Sequence, residues 1–180
     1  MRGPTLLAAT LLLAACANAP RRPSPSPALR LAPAALDARL SLQQRLTVSQ
    51  GARVQRADAL LEVDRDALRL VLLVGPRRML TLVFDGESIV QQRDPALPEA
   101  LAGERFVDDI QLAYWPAAAI RAALPPGWTL DESPLRRTLR QAGAAAVEVR
   151  YSQTPRWLGH IEIHHLGQDY RLAIDSAAQP

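Results

Sequence analysis

The chain has 180 residues, 48 % hydrophobic and 22 % charged, the length and balance of one globular domain with a short appendage, which excludes two large domains and a disordered chain. All 21 basic residues are Arg against 18 acids, a net charge of +3, so Schiff-base, P-loop and Ser-Lys chemistries, each needing a lysine amine, are excluded. Cys16 is the single cysteine, which excludes a disulfide framework, a thiolate zinc site and a Cys-x-x-Cys redox pair within one chain.

The N-terminus reads as an export signal over residues 1–15. Arg2 gives a positive start, Leu6 to Leu13 an apolar run, and Leu13-Ala14-Ala15-Cys16 the small residues of a cleavage site. That run is too short to span a bilayer, which takes about 20 residues. With Cys at its end the segment resembles the lipobox of bacterial lipoproteins, which implies acylation of the Cys16 sulfur by palmitate-type chains and a membrane-held mature protein. In that class an Asp after the Cys favours the inner membrane. Ala17 therefore implies a lipid anchor in the outer membrane, facing the periplasm.

Residues 16–36 carry Pro20, Pro23, Pro25, Pro27 and Pro33 with Ser24 and Ser26, a composition that stays extended and solvated. It predicts a tether reaching roughly 60 Å at about 3.1 Å per residue.

The folded domain is expected over residues 37–176, with a tail at 177–180. Alternating apolar runs separated by turn residues predict strands at Leu40 to Ser49, Arg53 to Asp64, Ala67 to Val74, Met79 to Phe84 and Ser88 to Arg93. Gln50-Gly51, Arg65-Asp66, Gly75-Pro76-Arg77 and Asp85-Gly86 are turn sequences, so neighbours pair as hairpins. Val71 and Leu73 add apolar residues to the second face of the third strand, which predicts cover on both sides.

The pattern changes after Asp94-Pro95. Ala96 to Leu124 is Ala- and Leu-rich with helical spacing, Asp108 and Asp109 suit a first turn, and Pro116 predicts a break at Trp115 before a second helix to Leu124. Strands resume at Trp128 to Asp131, Leu135 to Arg140, Ala146 to Ser152, Arg156 to His165 and Tyr170 to Ile174. The fold class is therefore α+β, mainly antiparallel: an incomplete barrel of about ten strands with a central helical insertion on its concave face.

Leu40-Ser41-Leu42-Gln43-Gln44-Arg45-Leu46-Thr47, Asp108-Asp109-Ile110-Gln111-Leu112-Ala113-Tyr114-Trp115-Pro116, Ile120-Arg121-Ala122-Ala123-Leu124-Pro125, Arg150-Tyr151 and Tyr170-Arg171-Leu172 resemble bacterial DUF3261 lipoproteins. The resemblance implies a layout like the outer-membrane lipoprotein receptor LolB and its carrier LolA, whose unclosed barrel takes lipoprotein acyl chains. It also implies company with fatty-acid or aryl-polyene type biosynthesis. None of the matching residues carries an established catalytic or ligand-contacting role.

A 16-carbon chain represents some 13 kcal/mol of gross transfer free energy at roughly 0.8 kcal/mol per methylene, so carrying it through water needs an apolar groove. The expected lining is Leu70, Leu72, Leu82, Phe84, Val149, Tyr151, Ile161 and Ile163 from strands, with Ile110, Tyr114 and Trp115 from the helices. A solid core of the same residues reads identically, since alternation does not distinguish filled from hollow.

His160, Glu162 and His164 share one face of a strand, with His165 on the other. Side chains two apart on a strand sit about 6.6 to 7 Å from one another, too wide for one zinc ion. No metal or cofactor is expected, and no catalytic set is found: the acidic pairs fall at turns, and no serine lies in a Gly-x-Ser-x-Gly elbow. Between Pro134 and Trp157, five arginines face one acid, Glu148, so Arg136, Arg137 and Arg140 are expected either to form a solvated outer face or to touch anionic lipid or a partner. Loss of Arg2 with the signal leaves 20 Arg against 18 acids, which with export makes nucleic acid a poor partner. The expected function is non-enzymatic: an outer-membrane lipoprotein receiving an acyl chain, lipid or lipoprotein, or alternatively a structural adaptor docking on an envelope protein.

Overall fold

The computed structural model describes residues 26–98, 101 and 103–179, so the export signal, Cys16 and the first part of the tether lie outside the described residues. Ten antiparallel strands form one open sheet in the order β5-β4-β3-β2-β1-β10-β9-β8-β7-β6. They are β1 (Leu40–Gln50), β2 (Arg53–Val63), β3 (Leu68–Val74), β4 (Arg77–Phe84), β5 (Ile89–Arg93), β6 (Trp128–Ser133), β7 (Arg136–Gln141), β8 (Ala144–Tyr151), β9 (Gly159–His165) and β10 (Tyr170–Ala178). Each half is a hairpin meander, and the long pairing of β1 with β10 joins the halves from Leu42 opposite Ala178 to Gln50 opposite Tyr170.

The first three strands match the alternation that predicts them, whereas β5 has no buried residue. Along β1 the even positions Leu40, Leu42, Gln44, Leu46 and Val48 are buried, while Ser41, Gln43 and Arg45 are exposed. The outer face of β3 is covered less than expected, since Val71 and Leu73 are only half-buried.

Between β5 and β6 lie α1 (Gly103–Tyr114) and α2 (Ala117–Ala123). The break falls where predicted. The Trp115 N–H still bonds the Gln111 carbonyl at 3.1 Å, but Pro116 has no N–H and takes an extended ψ of 138°, so it starts a new helix instead of continuing the old one. Asp108 and Asp109 lie in the middle of α1 rather than its first turn, because the helix begins at Gly103. No helix among the described residues is long and apolar enough to cross a membrane.

The sheet curls around α1. A Cβ on Gly103 would meet Leu82 of β4 at 2.6 Å, while Arg137 of β7 reaches the Leu112 carbonyl at 2.7 Å. β4 and β7 are seven strand steps apart in the sheet order, about 34 Å if flat, whereas residues 103 to 112 of a helix span about 14 Å. Only a curved sheet lets both strands touch so short a helix.

The expected tether is shorter than its proline content predicts. Leu29, Leu31, Pro33 and Leu36 are buried, and Pro33–Leu36 forms a single 3-10 turn that leads into β1. Composition sees the prolines but not the leucines between them, so the folded part begins before residue 37.

Candidate functional site

The inner face of the curved sheet holds α1 through polar pins at both ends. At its C-terminal end, Arg137 donates to the carbonyls of Leu112 at 2.7 Å and Ala113 at 3.2 Å, and the Tyr151 hydroxyl donates to Ala113 at 2.8 Å. These carbonyls have no intrahelical donors, and a guanidinium beside them complements the negative end of the helix. Burial holds the Arg137 pKa below its ordinary value, and the Tyr151 phenol is pushed up to about 12, chiefly by burial.

At the same end, the Gln44 side chain donates to the hydroxyl of Tyr114, the last residue of α1, at 2.8 Å. In the middle of α1, Asp109 Oδ1 lies 2.7 Å from His165 Nε2, and His165 Nδ1 lies 3.2 Å from the Ser26 hydroxyl. The Arg105 guanidinium stacks 3.7 Å from the Tyr170 ring centre, and Arg105 also bonds Gln168. Serine, imidazole and carboxylate in a row suggest a nucleophilic relay, but His165 is buried beneath Ser26, with no room for a substrate between them.

A strap of residues 26–36 runs beside α1 in the same direction. Ser26 meets His165, Arg30 approaches Asp108 at 3.9 Å, and Ala32 accepts from the Trp115 indole at 3.0 Å. Leu31 is bonded twice: its N–H donates to Gln111 Oε1 at 3.2 Å and its carbonyl accepts from Gln111 Nε2 at 3.0 Å. A backbone that would lack partners in the interior thereby gains one from a side chain. Ala32 and Pro33 then pass over Gly86, where a Cβ would come within 3.1 Å of the Ala32 backbone.

The closure is incomplete in polar terms. Asp108 Oδ1, Asp109 Oδ2 and Tyr170 Oη are buried without hydrogen-bond partners, beside the stretch of α1 from Arg105 to Asp109. Burial raises the Asp108 pKa to about 6; Arg30 opposes the shift and Asp109 adds to it.

All eleven expected lining residues lie on this inner face or in the helices it holds, and all are buried in one cluster. Leu70, Leu72, Leu82, Phe84, Trp115, Ile161 and Ile163 have 0 % accessible surface, and none of the other four exceeds 6 %. A residue at zero borders no water-sized space, so in this conformation they form a packed core, not the lining of an open groove. The strap leucines help fill the space that alternation alone left undecided.

The expected basic docking face is corrected as well. Arg137 is a buried inward residue, bound also to Glu132 at 3.0 Å, because β7 presents it to the same side as Leu139. Arg136 is paired with Glu148 at 2.6 Å and Arg140 with Asp131 at 2.6 Å. The neutralising Asp131 and Glu132 lie just outside the window counted in the sequence, and the β6–β7 register brings them opposite. His160, on the outer face, lies 2.7 Å from Asp175 and 3.7 Å from Glu162; the Asp175 bond raises its pKa.

The residues that sequence reasoning missed are Leu29, Leu31, Gln111, Asp109 and His165. Leu29-x-Leu31 within the proline-rich stretch is a period-two signal that proline content masked.

Among known proteins, the family model described as a protein of unknown function, DUF3261, matches residues 41–178. No curated protein matches the chain. A solved structure of a DUF1329 family protein from Desulfovibrio piger is similar at 8 % identity and a TM-score of 0.37, over 79 % of this chain and 85 % of that one.

Proposed function

The chain belongs to the DUF3261 family of proteins of unknown function, and from that premise we propose that it is a lipid-anchored periplasmic protein of the outer membrane that takes up one acyl chain, of a lipid or a lipoprotein, by exchanging it for the strap. It performs no chemistry on that chain. The observation that carries the reading is the strap itself, a segment outside the sheet whose leucines are buried against the helix that fills the half-barrel.

The energies are matched. Three buried leucines are worth about 2 kcal/mol each, and the strap's four hydrogen bonds to His165, Gln111 and Trp115 about 1 kcal/mol each, so displacing the strap costs about 10 kcal/mol in gross terms. A 16-carbon chain returns about 13 kcal/mol. Exchange is therefore close to balanced, as reversible uptake requires.

The test is uptake of a fluorescent 16-carbon fatty acid by the full delipidated chain, with Gln111→Leu as the variant that loosens the strap. Saturable one-to-one binding, tighter in the variant, supports the reading. Absence of binding in both rejects it.

A second reading makes the chain a structural adaptor of an envelope assembly linked to fatty-acid or aryl-polyene type biosynthesis. The zero exposure of seven of the expected lining residues favours it. In that case the interior is a fixed core, and purified protein carries no lipid.

A further inference from the structure

The two ends of the half-barrel differ in chemistry, and the strap enters at one of them. The β1–β2, β3–β4, β7–β8 and β9–β10 turns share an end, as the pairings Gln50 with Arg53, Val74 with Arg77, Gln141 with Ala144 and His165 with Tyr170 show. Ser26, the first described residue, meets His165 at this end, and the Gly51 N–H bonds the Asp169 carbonyl there, tying two of the turns together. The opposite end carries the acidic turns Asp64-Arg65-Asp66 and Asp85-Gly86-Glu87.

At the Ser26 end, Val54, Val74 and Leu166 are all exposed, by 40 % or more. Arg53 and Arg78 stand beside them with no ion pair among the described residues, while the nearby Asp94 is neutralised by Arg77 at 2.6 Å. Apolar tips beside two unpaired arginines, with Asp169 the acid left unpaired on the same rim among the described residues, suit the interface of an anionic bilayer, where the tips enter the acyl boundary and the guanidiniums meet phosphates. Ten residues separate Ser26 from Cys16, which at full extension span no more than about 36 Å.

We infer that the turns bearing Val54, Val74 and Leu166 form a membrane-docking rim, which seats the half-barrel end-on against anionic lipid headgroups with the strap entry at the bilayer surface. This deepens the proposed function and rests on its reading of Cys16 as the anchor. An acyl chain that displaced the strap would then pass between protein and bilayer without crossing open water.

The experiment uses the full acylated chain on vesicles containing anionic phospholipid. Acylation blocks the Cys16 sulfur, so single cysteines introduced as Leu166→Cys, Val54→Cys or, at the opposite end, Leu135→Cys accept an environment-sensitive fluorophore selectively. The expected result is a blue shift and quenching by bromolipid for labels at 166 and 54 but not at 135, with the shift lost in Arg53→Glu/Arg78→Glu. Equal quenching at both ends, or quenching at 135 alone, in protein that still floats with the vesicles overturns the rim. Failure to float at all overturns the anchor reading and the rim with it, and flotation separates the two failures.

Discussion

Gln111 and Leu31 are bonded reciprocally, the glutamine amide donating to the Leu31 carbonyl and accepting from its N–H. One helix side chain thus does for the strap what a neighbouring strand does inside a sheet. Gln111→Leu keeps the volume and removes both bonds, leaving two buried backbone groups unpartnered. It should destabilise the closed strap by about 2 kcal/mol and speed amide exchange at Leu31, while β1 and β10 stay protected. Unchanged exchange at Leu31 contradicts the pinning role.

Arg137 offers a test of how α1 is held. Replacement by Met removes the donors to Leu112 and Ala113 and leaves Glu132 with Arg156 as its remaining partner. Breaking a buried, bonded charge of this kind costs about 3–5 kcal/mol, read as a lowered urea midpoint. Arg137→Lys should recover little, because an ammonium cannot bridge two carbonyls and a carboxylate as the planar guanidinium does. Full recovery by Lys would reduce the role to charge alone.

Asp108 sets a pH dependence. Its carboxyl pKa is raised to about 6 in the closed protein, mainly by burial and against the opposing Arg30 of the strap, and an opening or unfolding that lets water reach the carboxyl returns it toward the ordinary range. The closed state therefore binds the proton more tightly than the open one, and stability gained from protonation appears as pH falls from above 6 toward 4. Exchange of strap amides should slow from pH 7.5 to pH 5 after correction for intrinsic rates, and Asp108→Asn should flatten that response. A strap that loosens on acidification contradicts this assignment.

The contact between Gly103 and β4 gives a steric test. Gly103→Ala would place a methyl 2.6 Å from Leu82 and 2.7 Å from the Gln91 side chain. The Gln91 side chain can turn away, but Leu82 is fixed in the core, so a loss of about 1–3 kcal/mol is expected in thermal unfolding despite the better helix propensity of Ala. An unchanged or raised midpoint would show that α1 can shift along the sheet.

Much of this fold is legible in the sequence, because most of its strands carry period-two burial and its turns carry Gly, Pro or Asp. The ten strands and the helix break at Trp115-Pro116 follow from those local signals. What local signals cannot supply is the outcome of curvature. The inward side of Arg137 depends on β7 closing over the end of α1, and the strap's burial depends on an inner face wide enough to accept both it and the helix. The expected lining was identified as a set, but alternation carries no information on whether a third element fills the space. Asp109 and His165 are 56 positions apart and unremarkable until the helix is laid across β9.

Hydrogen exchange of residues 29–32, in the full chain with and without one equivalent of a 16-carbon fatty acid, is the most direct measurement. Strap exchange predicts that these amides lose protection when the acyl chain binds, while those of β1, β9 and β10 keep theirs, with one added ligand mass per chain. Bound fatty acid with an undisturbed strap, or no bound mass at any concentration below the micellar threshold, would contradict it.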